Sequence, residues 1–169
     1  MGFFLYNKLR YTRLSKEQFD SLSDEFSIFL ASNSIDKEKW DKIKSNSPDK
    51  VNLILDLFSD LVWNDILNKV RFVENISSTH LFLFKCNTNS TNSIIVKSKN
   101  QSIDLNSFKG QSWILNNIKS DQVELLKSTK RYKTNRNDEI FSLISKGSHI
   151  SEGQLFIMFD ERLLKSSEK

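Results

Sequence analysis

The apolar residues of this chain change their spacing near Glu74, and that change fixes the class of fold open to it. Upstream, large side chains recur every three or four residues, the interval of a helix face; downstream they alternate, the interval of a strand. Phe19, Leu22, Phe26, Phe29 and Leu30 mark one helical face up to about Ala31, behind a Ser15–Gln18 pair with the form of a capping box. A shorter helix follows, with Asp36 as its cap and Ile35, Trp40 and Ile43 on its buried side. Ser47-Pro48 then opens a long central helix to about Val70, because proline at the first helical position gives up an amide that would have had no partner anyway. Val51, Ile54, Leu57, Phe58, Leu61, Val62, Leu67 and Val70 occupy well over half of its circumference. A helix that apolar is covered on several sides, and Leu57, Phe58 and Leu61 are expected to be almost wholly buried.

Beyond Glu74, Thr79–Cys86 reads as a strand, with His80, Phe82 and Phe84 on one side and Leu81, Leu83 and Lys85 on the other. Polar residues 87–92 form a loop, Ile94–Lys97 a second strand, Ser112–Ile118 a short helix and Gln122–Tyr132 a third strand. Two helices close the chain as an αα-hairpin: Asp138–Lys146, stopped by Gly147, and one opened by Ser151 that carries Leu155, Phe156, Phe159 and Leu163. The expectation is an α+β fold in one domain, 1–169. Its helical N-terminal part spans about 15–73 in three helices, with the long central one last. A mixed part with a small antiparallel sheet and the C-terminal helical hairpin spans about 74–164, and a short frayed tail ends the chain.

Composition narrows the setting. A chain of 169 residues with thirteen Phe and three Trp can bury a core without staples. A lone cysteine, Cys86, excludes an intrachain disulfide and suits a reducing compartment. No stretch nears the ~18 apolar residues of a membrane span. The apolar opening Met1–Tyr6 lacks the basic lead of a signal peptide. A cytoplasmic protein with no membrane contact is expected. Charge is unevenly spread: four Lys/Arg against one Glu over 1–19, seven against eleven acids over 20–74, and fourteen against nine over 75–169.

Motifs for chemistry are few. The Cys and His residues are Cys86, His80 and His149, with His80 and Cys86 assigned to opposite faces of one strand, so no metal site is expected. Cys86 reads as a small buried hydrophobe and His149 as a capping or packing residue in a turn. Gly2, Gly110, Gly147 and Gly153 stand too far apart for a phosphate-cradling loop. No catalytic residue and no cofactor is assigned. The closing helices have the outline of helix-turn-helix, but Glu152, Asp160 and Glu161 on the second would repel DNA.

Two surfaces remain. The narrow polar strip of the central helix carries Asp56, Ser59, Asp60 and Asn64 beside Trp63, a candidate face for a protein partner if the indole is exposed. The stretch 127–136 carries Lys127, Lys130, Arg131, Lys133 and Arg136 around Tyr132, cations for a phosphate backbone and a ring for a base.

Three stretches together resemble a known family: residues 10–19 (RYTRLSKEQF), 56–63 (DLFSDLVW) and 83–86 (LFKC). Glu139-Ile140-Phe141, Gly147 and Gly153-Gln154-Leu155-Phe156 extend the likeness over most of the chain. The family is an uncharacterised one of small bacterial proteins, a domain of unknown function whose members have about this length. The resemblance implies a bacterial cytoplasmic protein and carries no activity. The leading expectation is a non-enzymatic binding or regulatory protein that works through another protein. The alternative is an RNA- or ribosome-associated factor using the basic segment, and a third reading is an enzyme with an undetected carboxylate site.

Overall fold

The computed structural model describes residues 8–167. The chain divides into two compact units at Ile66/Leu67, inside a helix rather than at the change of period near Glu74.

The first unit is helical: α1 (Lys16–Ser21), α2 (Ser23–Ser32), α3 (Lys37–Asn46) and all but the last turn of α4 (Pro48–Lys69). Ser15 caps α1 through the expected capping box, and Asp36 caps α3 by accepting from the Lys39 amide at 2.8 Å. One expected helix is two, because the chain unwinds locally at Leu22, whose amide still donates back to Gln18 and Phe19. The core is aromatic. Phe19, Phe26 and Phe29 stand 5.8, 5.0 and 5.4 Å from the ring of Phe58 on α4, and Trp40 of α3 packs edge-on to Phe26.

Phe58 is 2% exposed, as expected, whereas Leu57 is half-buried and Leu61 is 54% exposed. Seven residues bring Leu61 back to nearly the angle of buried Ile54, so periodicity gives both the same face. The covering rings gather on Phe58, and periodicity does not say how far along a helix the cover extends.

The second unit is built on an antiparallel sheet of β1 (Phe72–Ile76), β2 (His80–Cys86), β3 (Ser90–Ser98), β4 (Val123–Arg131) and β5 (His149–Ser151), in the order β4-β3-β2-β1-β5. Helices α5 (Phe108–Asn116), α6 (Arg136–Ser145) and α7 (Gln154–Ser167) complete it, so the α+β expectation holds. β2 and β3 pair over seven residues, from His80↔Lys97 to Cys86↔Thr91. The polar loop between them is a tight turn closed by the Asn87 amide on the Ser90 carbonyl at 2.9 Å. Leu81, Leu83, Ile94 and Val96 point to one face, where they meet Ile114 and Leu115 of α5 and Phe156 and Phe159 of α7 in a closed apolar cluster. Both helices bury one apolar stripe there, which accounts for most of this unit's core.

Three details differ from expectation, the first being β1 itself, a strand at Phe72–Ile76 where none was expected and the helical part was carried to about 73. The closing helices do not form a simple hairpin: β5 lies between them and pairs with β1, from Phe72↔Ser151 to Glu74↔His149. Three residues are too few to display alternation, so the segment reads as a turn. His80 and Cys86 share a sheet face, since a step of six residues along an unbroken strand returns a side chain to the same side. No helix among the described residues is long and apolar enough to cross a membrane.

Phe58→Ala would remove the ring on which three others converge. A loss of roughly 3–5 kcal/mol in a denaturant titration is expected; a midpoint close to the parent's would show that these helices do not depend on the cluster.

Candidate functional site

The polar strip of α4 is already in use. Asp60 accepts the Arg10 amide at 2.9 and 3.1 Å and the Tyr11 amide at 3.0 Å. The Tyr11 hydroxyl donates to Asn64 at 3.4 Å, and Arg13 pairs with Asp56 at 2.6 Å while also donating to Asn52. Fully buried Ser59 accepts the Leu14 amide at 3.1 Å and donates to the Leu55 carbonyl at 2.7 Å. Residues 10–14 thus form a strap antiparallel to α4, leading directly into the Ser15 capping box. Trp63 is half-buried, with its indole nitrogen shut off from solvent. The strip named as a partner surface is a seat for the chain's own segment. Sequence could not pair them, because the contacts join residues more than 35 apart.

The basic stretch divides in the same way. Lys130, Arg131 and Lys133 are exposed. Lys127 pairs with Asp160 of α7 at 2.5 Å, and the half-buried Tyr132 donates its hydroxyl to the Asn87 carbonyl at 3.0 Å. Arg136 is not available to a phosphate. Its guanidinium donates to the carbonyls of Leu67 (2.8 Å), Val70 (2.6 Å), Cys86 (3.3 Å) and Asn87 (3.0 Å), and to the Asn137 side chain (3.2 Å). Glu139, in the first turn of α6, accepts the Thr134 amide at 3.0 Å and the Lys133 amide as well. Those bonds, the Thr134 one foremost, hold its carboxyl below the usual range. Burial pushes the Cys86 thiol up to about 11, more than the nearby Arg136 lowers it, so it is protonated at neutral pH and a poor nucleophile.

The structure assembles a different site in the second unit. A groove of about 420 Å³ lies between α5 and α7, with Glu74 and Ile76 of β1 at its base. Phe108, Gln111, Ser112 and Leu115 line the α5 side, and Leu155 and Met158 the α7 side. Ser151, Glu152 and Gly153 close one end. Two glycines set its walls. Gly110 lets α5 lie against the Asp104 carbonyl, which a Cβ would approach to 1.9 Å. Gly153, at φ +77°, turns the chain from β5 into α7 with the Phe72 ring where a Cβ would stand. Ser107 caps α5 by accepting the Gly110 amide at 3.0 Å, and Phe108, the first helical residue, projects outward and is 81% exposed. Met158 is 46% exposed.

Register, not sequence proximity, makes the polar part of this site. Glu74 and His149 are directly opposed on β1 and β5, and their side chains meet at 3.3 Å, the carboxylate 14% exposed and the imidazole 60%. These are residue types of acid–base chemistry, and among the described contacts no hydroxyl is hydrogen-bonded to His149. With apolar walls, one carboxylate at the base and an outward Phe, the arrangement is suited to holding a ligand.

Three substitutions test these roles. Arg136→Lys keeps the charge but loses the fork, and is expected to cost at least ~2 kcal/mol, while Lys130→Ala changes stability by no more than about 0.5 kcal/mol; equal melting temperatures for the two would refute the inward role. Asp60→Ala removes the acceptor of two strap amides, and hydrogen exchange at Arg10 and Tyr11 should accelerate by a larger factor than at Leu14, which Ser59 still holds.

No curated protein and no solved structure matches the chain. A family does match, over residues 9–164, and it takes in the strap, its seat on α4 and every residue lining the groove. The chain therefore belongs to the family described as "Family of unknown function (DUF6495)".

Proposed function

We propose that this chain is a non-enzymatic binding or regulatory protein of the cytoplasm, acting through another protein that docks on the α5/α7 groove. The observation that carries the reading is Phe108. A ring 81% exposed on the first turn of a helix packs against nothing that would explain its presence, and it stands at the rim of a groove walled by Leu115, Leu155 and Met158. Covering such a ring contributes about 1.5–3 kcal/mol, the scale of an interface anchor. The α4 strip is not part of this proposal, because the strap occupies it.

A second reading keeps RNA as the partner, on the opposite face of the sheet. His80 and Phe82 stack there at 5.6 Å and 7°, near Ile95 and the 58% exposed Leu126. Lys130 projects from the same face of β4, nearer its end, while Arg131 follows it on the other face. Stacked rings beside cations suit single-stranded bases.

Co-purification from a native lysate separates the two. A protein partner should survive nuclease, be lost with Phe108→Ser, and persist with Lys130, Arg131 and Lys133 all changed to Ala. Loss on nuclease treatment and with the triple change would favour RNA and overturn the groove. Phe108→Ser should leave the melting temperature unchanged, since the ring is largely in water.

A further inference from the structure

We infer that the groove selects an extended peptide segment carrying a Lys or Arg next to a large apolar side chain, with Glu74 receiving the cation. This rests on reading the groove as the partner site and adds the chemistry of what enters it.

The argument begins with where the sheet puts Glu74. In β1 the residues facing α5 and α7 are Phe72, Glu74 and Ile76, paired with Lys85, Leu83 and Leu81. A carboxylate therefore occupies an apolar row, and its side chain is only 14% exposed. Taking a carboxylate out of water is costly unless an opposite charge or several donors compensate. The side chain that meets it, His149, is itself 60% exposed and makes a single contact at 3.3 Å, and a carboxylate with two oxygens has room for further donors. An incoming ammonium or guanidinium would supply a charge-assisted bond in a place already screened from water.

The rest of the lining points the same way. The described lining residues include a second acid, exposed Glu152, and no Lys or Arg, so an acidic segment is repelled and a basic one attracted. A small free amine would satisfy Glu74 but leave Phe108 and Met158 in water. A segment with an apolar side chain beside its cation covers both, which is why the occupant is a peptide. Ser112 and Gln154 add polar groups along the walls for its backbone.

The test is selection from a random heptapeptide library on the full chain, followed by fluorescence polarisation with the strongest peptide as probe. Lys or Arg should be enriched within two positions of Phe, Leu, Ile, Met or Trp. Replacing that Lys by norleucine in the peptide, or Glu74→Gln in the protein, should weaken binding about tenfold or more. The peptide change leaves the protein untouched and so reads the charge even if Glu74→Gln perturbs the sheet. Winners without a cation, or indifference to norleucine, would overturn the inference while Phe108→Ser still abolished binding, leaving the groove as the site. Winners that bind the Phe108→Ser protein as tightly as the parent, or no enrichment at all, would overturn both.

Discussion

The guanidinium of Arg136 closes the carbonyl ends of a helix and a strand at one point, and the second unit is arranged around that closure. At the end of α4 the Leu67 carbonyl takes a long bond from the Val70 amide at 3.3 Å, Val70 itself lies just past the helix, and β2 ends at Cys86 where the chain turns toward β3. Each of those carbonyls would cost free energy if enclosed without a donor. One rigid fork serves both, and also the turn residue Asn87, because its five N–H groups diverge within a plane. The neighbouring Asn137 continues the arrangement by donating to Asn68 at 2.7 Å. With these ends satisfied, α6 begins in a fixed place, and β5, which follows it, reaches β1 in one register.

That register has a consequence far from Arg136. Pairing Glu74 with His149 sets a carboxylate at the base of the α5/α7 groove and an imidazole beside it. Had β5 slipped by one residue, Ile150 would face Glu74 and every β5 side chain would change sides. Glu74 stands in an apolar row where the groove opens above it and His149 meets it. Polarity is thus spent at the one point of the sheet's covered face where α5 and α7 part.

The first unit follows a different economy. Its rings converge on Phe58, and the opposite side of α4 is covered by a strap rather than by another helix. A strap of five residues has too few apolar groups to hold itself down, so the Asp60 carboxylate and the Ser59 hydroxyl grip its backbone amides instead. Those two need no particular strap side chain, whereas Asp56 holds the Arg13 guanidinium. Two of the segments that suggest the family, 10–19 and 56–63, are the two halves of this contact.

Much of this was legible in the sequence. The helices, the β2–β3 hairpin, the caps at Ser15 and Asp36 and the start at Ser47-Pro48 follow from spacing and local hydrogen bonding, which act within a few residues. Leu61, Arg136 and Glu74 were not legible, because their roles depend on partners far along the chain. Leu61 shares the face angle of Ile54 and differs only in what lies over it. Arg136 sits among exposed cations in sequence and turns inward because four carbonyls meet beside it. Glu74 and His149 are 75 positions apart, and only strand register sets one against the other. Sequence by itself determined most of the segments that curl and the three longer strands, β2, β3 and β4, whereas β1 and β5 extend because the sheet pairs them. Tertiary structure decided which polar groups are already paired and which remain to bind something else, since pairing is a property of positions in space.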